Sequence, residues 1–169
     1  MIVLGVDPGA TVTGYGVVAA GGAPAALIEC GAIRPRAGGP LAERLLEIFQ
    51  GLTEVIDRVR PDVVCVEGVF YGRNARTTVI LGHARGAVLL AAAARTIPVV
   101  EYPPAEVKSL IVGTGVASKE QVAFMVQKHL SLADVPEPED AADGVAVALC
   151  HVFHDAVDRR TGGVGRKHG

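Results

Sequence analysis

The chain has 169 residues, half of them hydrophobic, which is enough apolar material for one well-packed domain. Its longest uncharged apolar stretch, between Arg85 and Arg95, falls well short of the roughly 18 residues that a spanning helix needs. No basic segment precedes the apolar N-terminus, so neither a membrane anchor nor a signal peptide is expected.

The elements follow in chain order. Ile2 to Asp7 is a continuous apolar run ending in the turn signal Pro8-Gly9, and Tyr15 to Ala20 resumes as a second strand. Ala26 to Arg34 makes a third strand after a Gly-Gly-Ala-Pro turn, completing an antiparallel meander. From Leu41 apolar residues recur at 41, 45, 48, 52, 55 and 59, one face of a helix that starts after Pro40 and ends before Pro61. Val63 to Glu67 is then a buried strand reached by a helical crossover, and hence parallel to an earlier one, with helices covering the sheet. A helix over 75–95 follows, then a strand over 97–102, a helix over 104–111 and another starting at Ser118, whose spacing to Gln121 is that of a capping box. Pro136 and Pro138 lead into a last long helix over 139–157, and from Thr161 a Gly-rich tail with Arg166 and Lys167 is expected to be disordered.

Four carboxylates stand where apolar segments stop: Asp7, Glu67, and the pair Asp140 and Asp143. If the first and fourth strands are parallel neighbours, Asp7 and Glu67 project near their C-terminal ends, where α/β folds place ligands. Asp140 and Asp143, three apart, share one face of a helix's first turn. All four can converge on one cleft, and a hard all-oxygen set suits Mg²⁺. Two such cations about 4 Å apart activate water for in-line attack on phosphorus, so metal-assisted phosphodiester hydrolysis is the expected reaction. Taken singly, each acid also fits a turn, a strand end or a helix start.

Charge is uneven along the chain. Residues 71–130 carry seven Lys/Arg against three Asp/Glu, while the segments before and after are acidic. That predicts a basic surface beside an acidic pocket, the alternative being ordinary solvated helix faces. Phe70 and Tyr71, followed by Arg73 and Arg76, form an aromatic loop next to cations, the pairing that stacks on opened bases. Phe70 could instead close the core above the fourth strand. Lys119 falls in a first helical turn, opposing the macrodipole by about 0.3–1 kcal/mol, which suggests a phosphate partner. Cys30, Cys65 and Cys150 sit among aliphatic residues and read as buried, reduced thiols of a cytosolic protein. A zinc site from Cys150, His151 and His154 is the weaker reading, because only Cys150 and His154 share a helical face.

The strings GVDPGATVTGYGVV (5–18), VEGVF (66–70), EYPPAEVKSLIVGTGVASKEQV (101–122) and EDAADGVAVALCH (139–151), in this order and spacing, resemble the RuvC family of Holliday-junction resolvases. The resemblance implies an α/β, RNase H-like fold: a five-stranded mixed sheet flanked by helices on both faces, one nuclease domain over 1–160 with a flexible basic tail over 161–169. It implies a homodimer, with part of the 75–95 helix in its interface, that makes two symmetry-related nicks in four-way DNA junctions and leaves 5′-phosphate ends. Asp7, Glu67, Asp140 and Asp143 would hold Mg²⁺ or Mn²⁺, two per site during catalysis. Phe70 would insert near the crossover, Lys108 would contact DNA beside Lys119, and RuvA and RuvB would be partners in the cytoplasm. Gly68 and Gly144 depart from the family pattern, where an amide and an alanine are usual. The competing expectations are an RNase H-like nuclease acting on ribosomal RNA and a junction-binding protein without catalysis.

Overall fold

A computed structural model describes residues 1–21, 24–68 and 74–161. The meander is β1 (Ile2–Asp7), β2 (Thr13–Ala19) and β3 (Ala26–Ile33); α1 (Leu41–Val59) leads to β4 (Val63–Glu67) and α2 (Ala75–Ala93) to β5 (Val99–Tyr102). Three helices follow: α3 (Pro104–Val112), α4 (Lys119–His129) and α5 (Glu139–Thr161). The five strands form one mixed sheet in the order β3-β2-β1-β4-β5, in which β1, β4 and β5 run parallel and β2 runs antiparallel to both its neighbours. Among the described residues no helix is long and apolar enough to cross a membrane.

Helices cover both faces of the sheet, and the two-residue period of the strands divides the core accordingly. Leu4, Val6, Val17, Val64 and Val66 pack with Ile48, Leu52, Val55 and Ile56 of α1 and with Ala84, Val88 and Ala91 of α2. Val3, Val18, Val63 and Cys65 point the other way, onto Val107 and Ile111 of α3, Val122 and Val126 of α4, and the buried run Val145–Cys150 of α5. By that alternation Gly5 and Asp7 follow Val3 onto the α5 face, and Glu67 follows Val63 and Cys65.

α5 lies directly on backbone. An added Cβ at Gly5 would stand 2.2 Å from the Gly144 carbonyl oxygen and 2.3 Å from the Ala148 nitrogen, and one at Gly16 would stand 2.6 Å from the Val145 Cα. At Gly14 the Asp140 carbonyl oxygen would be 1.9 Å away, and at Gly144 the Tyr15 Cα would be 2.5 Å away. These four glycines form a trough into which the helix settles. The departure at Gly144 is therefore explained by contact with the β2 backbone.

Most expected boundaries hold. Ser118 caps α4 through a capping box, with its Oγ accepting from the Gln121 amide and its own amide donating to Gln121 Oε1. β2 starts at Thr13 and not at Tyr15, because Thr13 and Gly14 pair with Ile33 and Ala32 of β3 in spite of glycine's weak strand preference. α2 ends at Ala93 and β5 begins at Val99, since Thr96 takes a positive φ of 57° and Pro98 has no amide to give a ladder. α5 runs on through Thr161, and the rest of the expected tail lies outside the described residues.

Replacing Gly5 by Ala should cost about 3 kcal/mol or more, because the clash is with backbone on both sides and α5 must lift. Urea unfolding checks this: the expected result is a lower midpoint with an unchanged slope.

Candidate metal and phosphodiester site

Asp7 ends β1 and Glu67 ends the parallel neighbour β4, one register step beyond the pair Val6 and Val66. The two carboxyls are close enough for each to act on the other's titration. Burial pushes Asp7 up to about 6, helped by the negative charge of Asp143. Burial likewise pushes Glu67 up to about 8, helped by Asp7, while the charge of Lys108 works in the opposite direction.

The turn after Asp7 is closed by Thr13, the only fully buried polar side chain among the described residues. Its Oγ1 donates to the Gly9 carbonyl at 2.8 Å and accepts from the Gly9 amide at 3.3 Å. Arg44 of α1 reaches the Ala10 carbonyl at 3.2 Å, tying that turn to the helix beneath it. On the other side, Gly68 continues from Glu67 and donates its amide to the Tyr102 carbonyl at 2.8 Å.

α5 brings the remaining two acids. Asp140 lines a cleft of about 410 Å³ together with Asp7, the 8–12 turn, Glu67, Gly68, Leu81, Pro104 and Lys119. Asp143 lies one turn further along the helix and accepts a 2.6 Å ion pair from Lys119 Nζ. Asp140 is paired with Arg34 at 2.9 Å. The hydrogen bond to Asp143, with the charges of Asp7 and Asp140, raises the pKa of Lys119.

The four acids therefore face one another electrostatically without closing into a chelate, and among the described residues no three His, Cys, Asp or Glu side chains are gathered tightly enough to hold a metal ion. The two α5 carboxylates are instead paired with Lys119 and Arg34. The donor set still fits a hard divalent cation, being carboxylate only. Burial first, and neighbouring negative charge second, raise the pKa values of Asp7 and Glu67, and a bound cation would offset both.

The expected DNA contacts divide three ways. Lys119 lines the cleft, and Lys108 is close enough to act on Glu67. Arg76 is exposed at the start of α2, beside a second groove formed with Leu41, Arg44, Val79, Ile80 and His83. Phe70, Tyr71 and Arg73 lie outside the described residues. The weaker zinc reading finds no support: Cys65 and Cys150 are buried free thiols, the Tyr102 hydroxyl is 2.8 Å from His151 Nδ1, and His154 is paired with Glu106. Sequence reading missed Arg34 and Thr13, the first taken only as a strand end and the second as part of a loop. The Thr two residues ahead of Tyr15, at the close of a Pro-Gly turn, was the available signal for Thr13.

The family model for the crossover junction endodeoxyribonuclease RuvC matches residues 3–151. A crossover junction endodeoxyribonuclease RuvC of Pelotomaculum thermopropionicum is 47% identical over 160 residues, which are 95% of this chain and 98% of that protein. The solved structure of Thermus thermophilus RuvC superposes with a TM-score of 0.84 at 39% identity, covering 93% of this chain and 96% of that one. The same protein in complex with a Holliday junction substrate superposes at 0.83 with 38% identity, over the same shares of the two chains.

The pKa shifts carry a sign for stability. Asp7 and Glu67 titrate at about 3.8 and 4.5 when unfolded and at about 6 and 8 when folded, so across that range the folded protein holds protons that the unfolded chain has lost. Their contribution is therefore most favourable at low pH and is lost as pH rises towards 8. Thermal melts of the metal-free protein should give a lower Tm at pH 8.5 than at pH 5.5, and Asp7→Asn should flatten that dependence. Mg²⁺ should raise Tm more at pH 8.5 than at pH 5.5.

Proposed function

The chain belongs to the RuvC family of crossover junction endodeoxyribonucleases, and on that premise we propose that Asp7, Glu67, Asp140 and Asp143 are the residues with which it hydrolyses the phosphodiester bonds of four-way DNA junctions. The observation that carries the assignment is the meeting of acids from three elements, β1, β4 and α5, at one cleft.

The carboxylates would hold Mg²⁺, or Mn²⁺ in its place. Such ions supply a nucleophilic water at neutral pH and stabilise the oxygen that leaves. The chain's own residues do the rest. Lys119, beside Asp143, and Lys108, whose charge acts on Glu67, bring positive charge to the acids and draw the scissile phosphate in. Arg76, exposed at the start of α2, adds a further cation for junction DNA, and Phe70, Tyr71 and Arg73 are assigned to the same partner from the sequence alone. The trough of glycines under α5 keeps the acids aligned while substrate enters.

A homodimer follows from the same reading, since paired cuts in a symmetric junction call for two sites related by a two-fold axis. The outer face of α2 supports it. Val79 and Leu90 are 58% and 64% exposed, and an added Cβ at Gly82 or Gly86 would meet nothing within 4 Å. Residues 79, 82, 83, 86 and 90 share one helical face that is open to a partner.

Asp7→Asn should abolish cleavage of a synthetic mobile four-way junction in Mg²⁺, a loss of at least about 10³-fold, while junction binding in Ca²⁺ stays within a few-fold. Linear duplex and structured RNA serve as the comparison substrates. Loss of junction binding, or undiminished cleavage, would contradict the assignment.

A further inference from the structure

Arg34 is the residue just beyond β3. Its Nη2 donates to Asp140 Oδ2 at 2.9 Å, with the two side chains 55% and 33% exposed. The contact mirrors that of Lys119 with Asp143. Each acid of the first turns of α5 thus carries a cation from a different element.

The backbone at Asp140 has little freedom to respond when that balance changes. Its carbonyl oxygen lies against Gly14, where even a Cβ would not fit, and the next amide, of Ala141, donates to the Pro138 carbonyl at 2.8 Å. The carboxylate is what can turn, and it has two directions available: outward onto Arg34, or inward to the cleft that Asp140 already lines. An ion pair this exposed is weak. A divalent cation competes for the same oxygen with twice the charge.

We propose that Arg34 is a positioning residue for Asp140: it holds the carboxylate at the rim of the cleft and releases it to an incoming divalent cation, so that this ion pair sets the protein's affinity for the metal. The proposal rests on the reading of Asp140 as a metal ligand. It differs from a purely structural role because a structural arginine, when removed, would loosen the site and weaken metal binding. A competing arginine, when removed, strengthens it.

The test is Mn²⁺ binding, followed by the electron paramagnetic resonance of the free ion, with no turnover involved. Arg34→Met should lower the Kd by about two- to fivefold, the range that an exposed ion pair of this kind is worth. Arg34→Lys should keep the parent value, and Arg34→Gln serves as a second neutral variant should the Met variant not melt cooperatively. Asp140→Asn should raise the Kd, and adding Arg34→Met to it should change nothing further. An unchanged or higher Kd in Arg34→Met beside a weakened Asp140→Asn would overturn the proposal alone. The same gain persisting on Asp140→Asn would also overturn it, since Arg34 would then act by general charge. An unaffected Asp140→Asn would overturn the ligand assignment beneath it as well.

Discussion

The seating of α5 on the bare backbone of β1 and β2 governs where every acid of the site can be. Gly5, Gly14 and Gly16 present no side chain to the helix, and Gly144 presents none in return, so helix and sheet approach until carbonyl and Cα atoms touch. A helix held off by ordinary side chains would sit several ångströms higher. Asp140 and Asp143 would then rise with it, out of reach of Asp7. The buried run Val145–Cys150 fastens the rest of the helix to the same face of the sheet. The contact thus couples stability to site geometry.

Charge balance is the second consequence. Bringing four carboxylates to one place is unfavourable unless something neutralises them. Lys119 and Arg34 each take one, and burial with neighbouring charge raises the pKa values of Asp7 and Glu67, which favours a bound proton there. The two cations come from separate parts of the chain, the end of β3 and the first turn of α4, and a proton comes from the solvent. All of them are reversible.

Much of this was legible in the residues. Strand and helix types follow from apolar periodicity, and the parallel pairing of β1 with β4 follows from the helical crossover that Pro40 and Pro61 delimit. Asp7 and Glu67 could be placed side by side because both end buried strands, and period two puts them on one face. The depth at which α5 sits was not legible. Glycines scattered at 5, 14, 16 and 144 show no common purpose in the sequence, and only the register aligns them under one helix. Arg34 and Thr13 were hidden for a related reason: their partners, Asp140 and the Gly9 backbone, become neighbours only through tertiary packing or a turn whose closure has no strong sequence signature. Lys119 was read as facing phosphate, and its partner in the fold is Asp143. Both readings draw on the same fact, a cation aimed at a place where negative charge gathers.

The most direct measurement of the central claim, that α5 completes a single cation site with the ends of β1 and β4, is anomalous diffraction from crystals grown with Mn²⁺. The account predicts a manganese peak bridged by Asp7 and at least one of Asp140 and Asp143, with the paired Lys119 or Arg34 drawn away from whichever acid is engaged. Manganese bound without any α5 carboxylate, or at a place remote from Asp7, would contradict it.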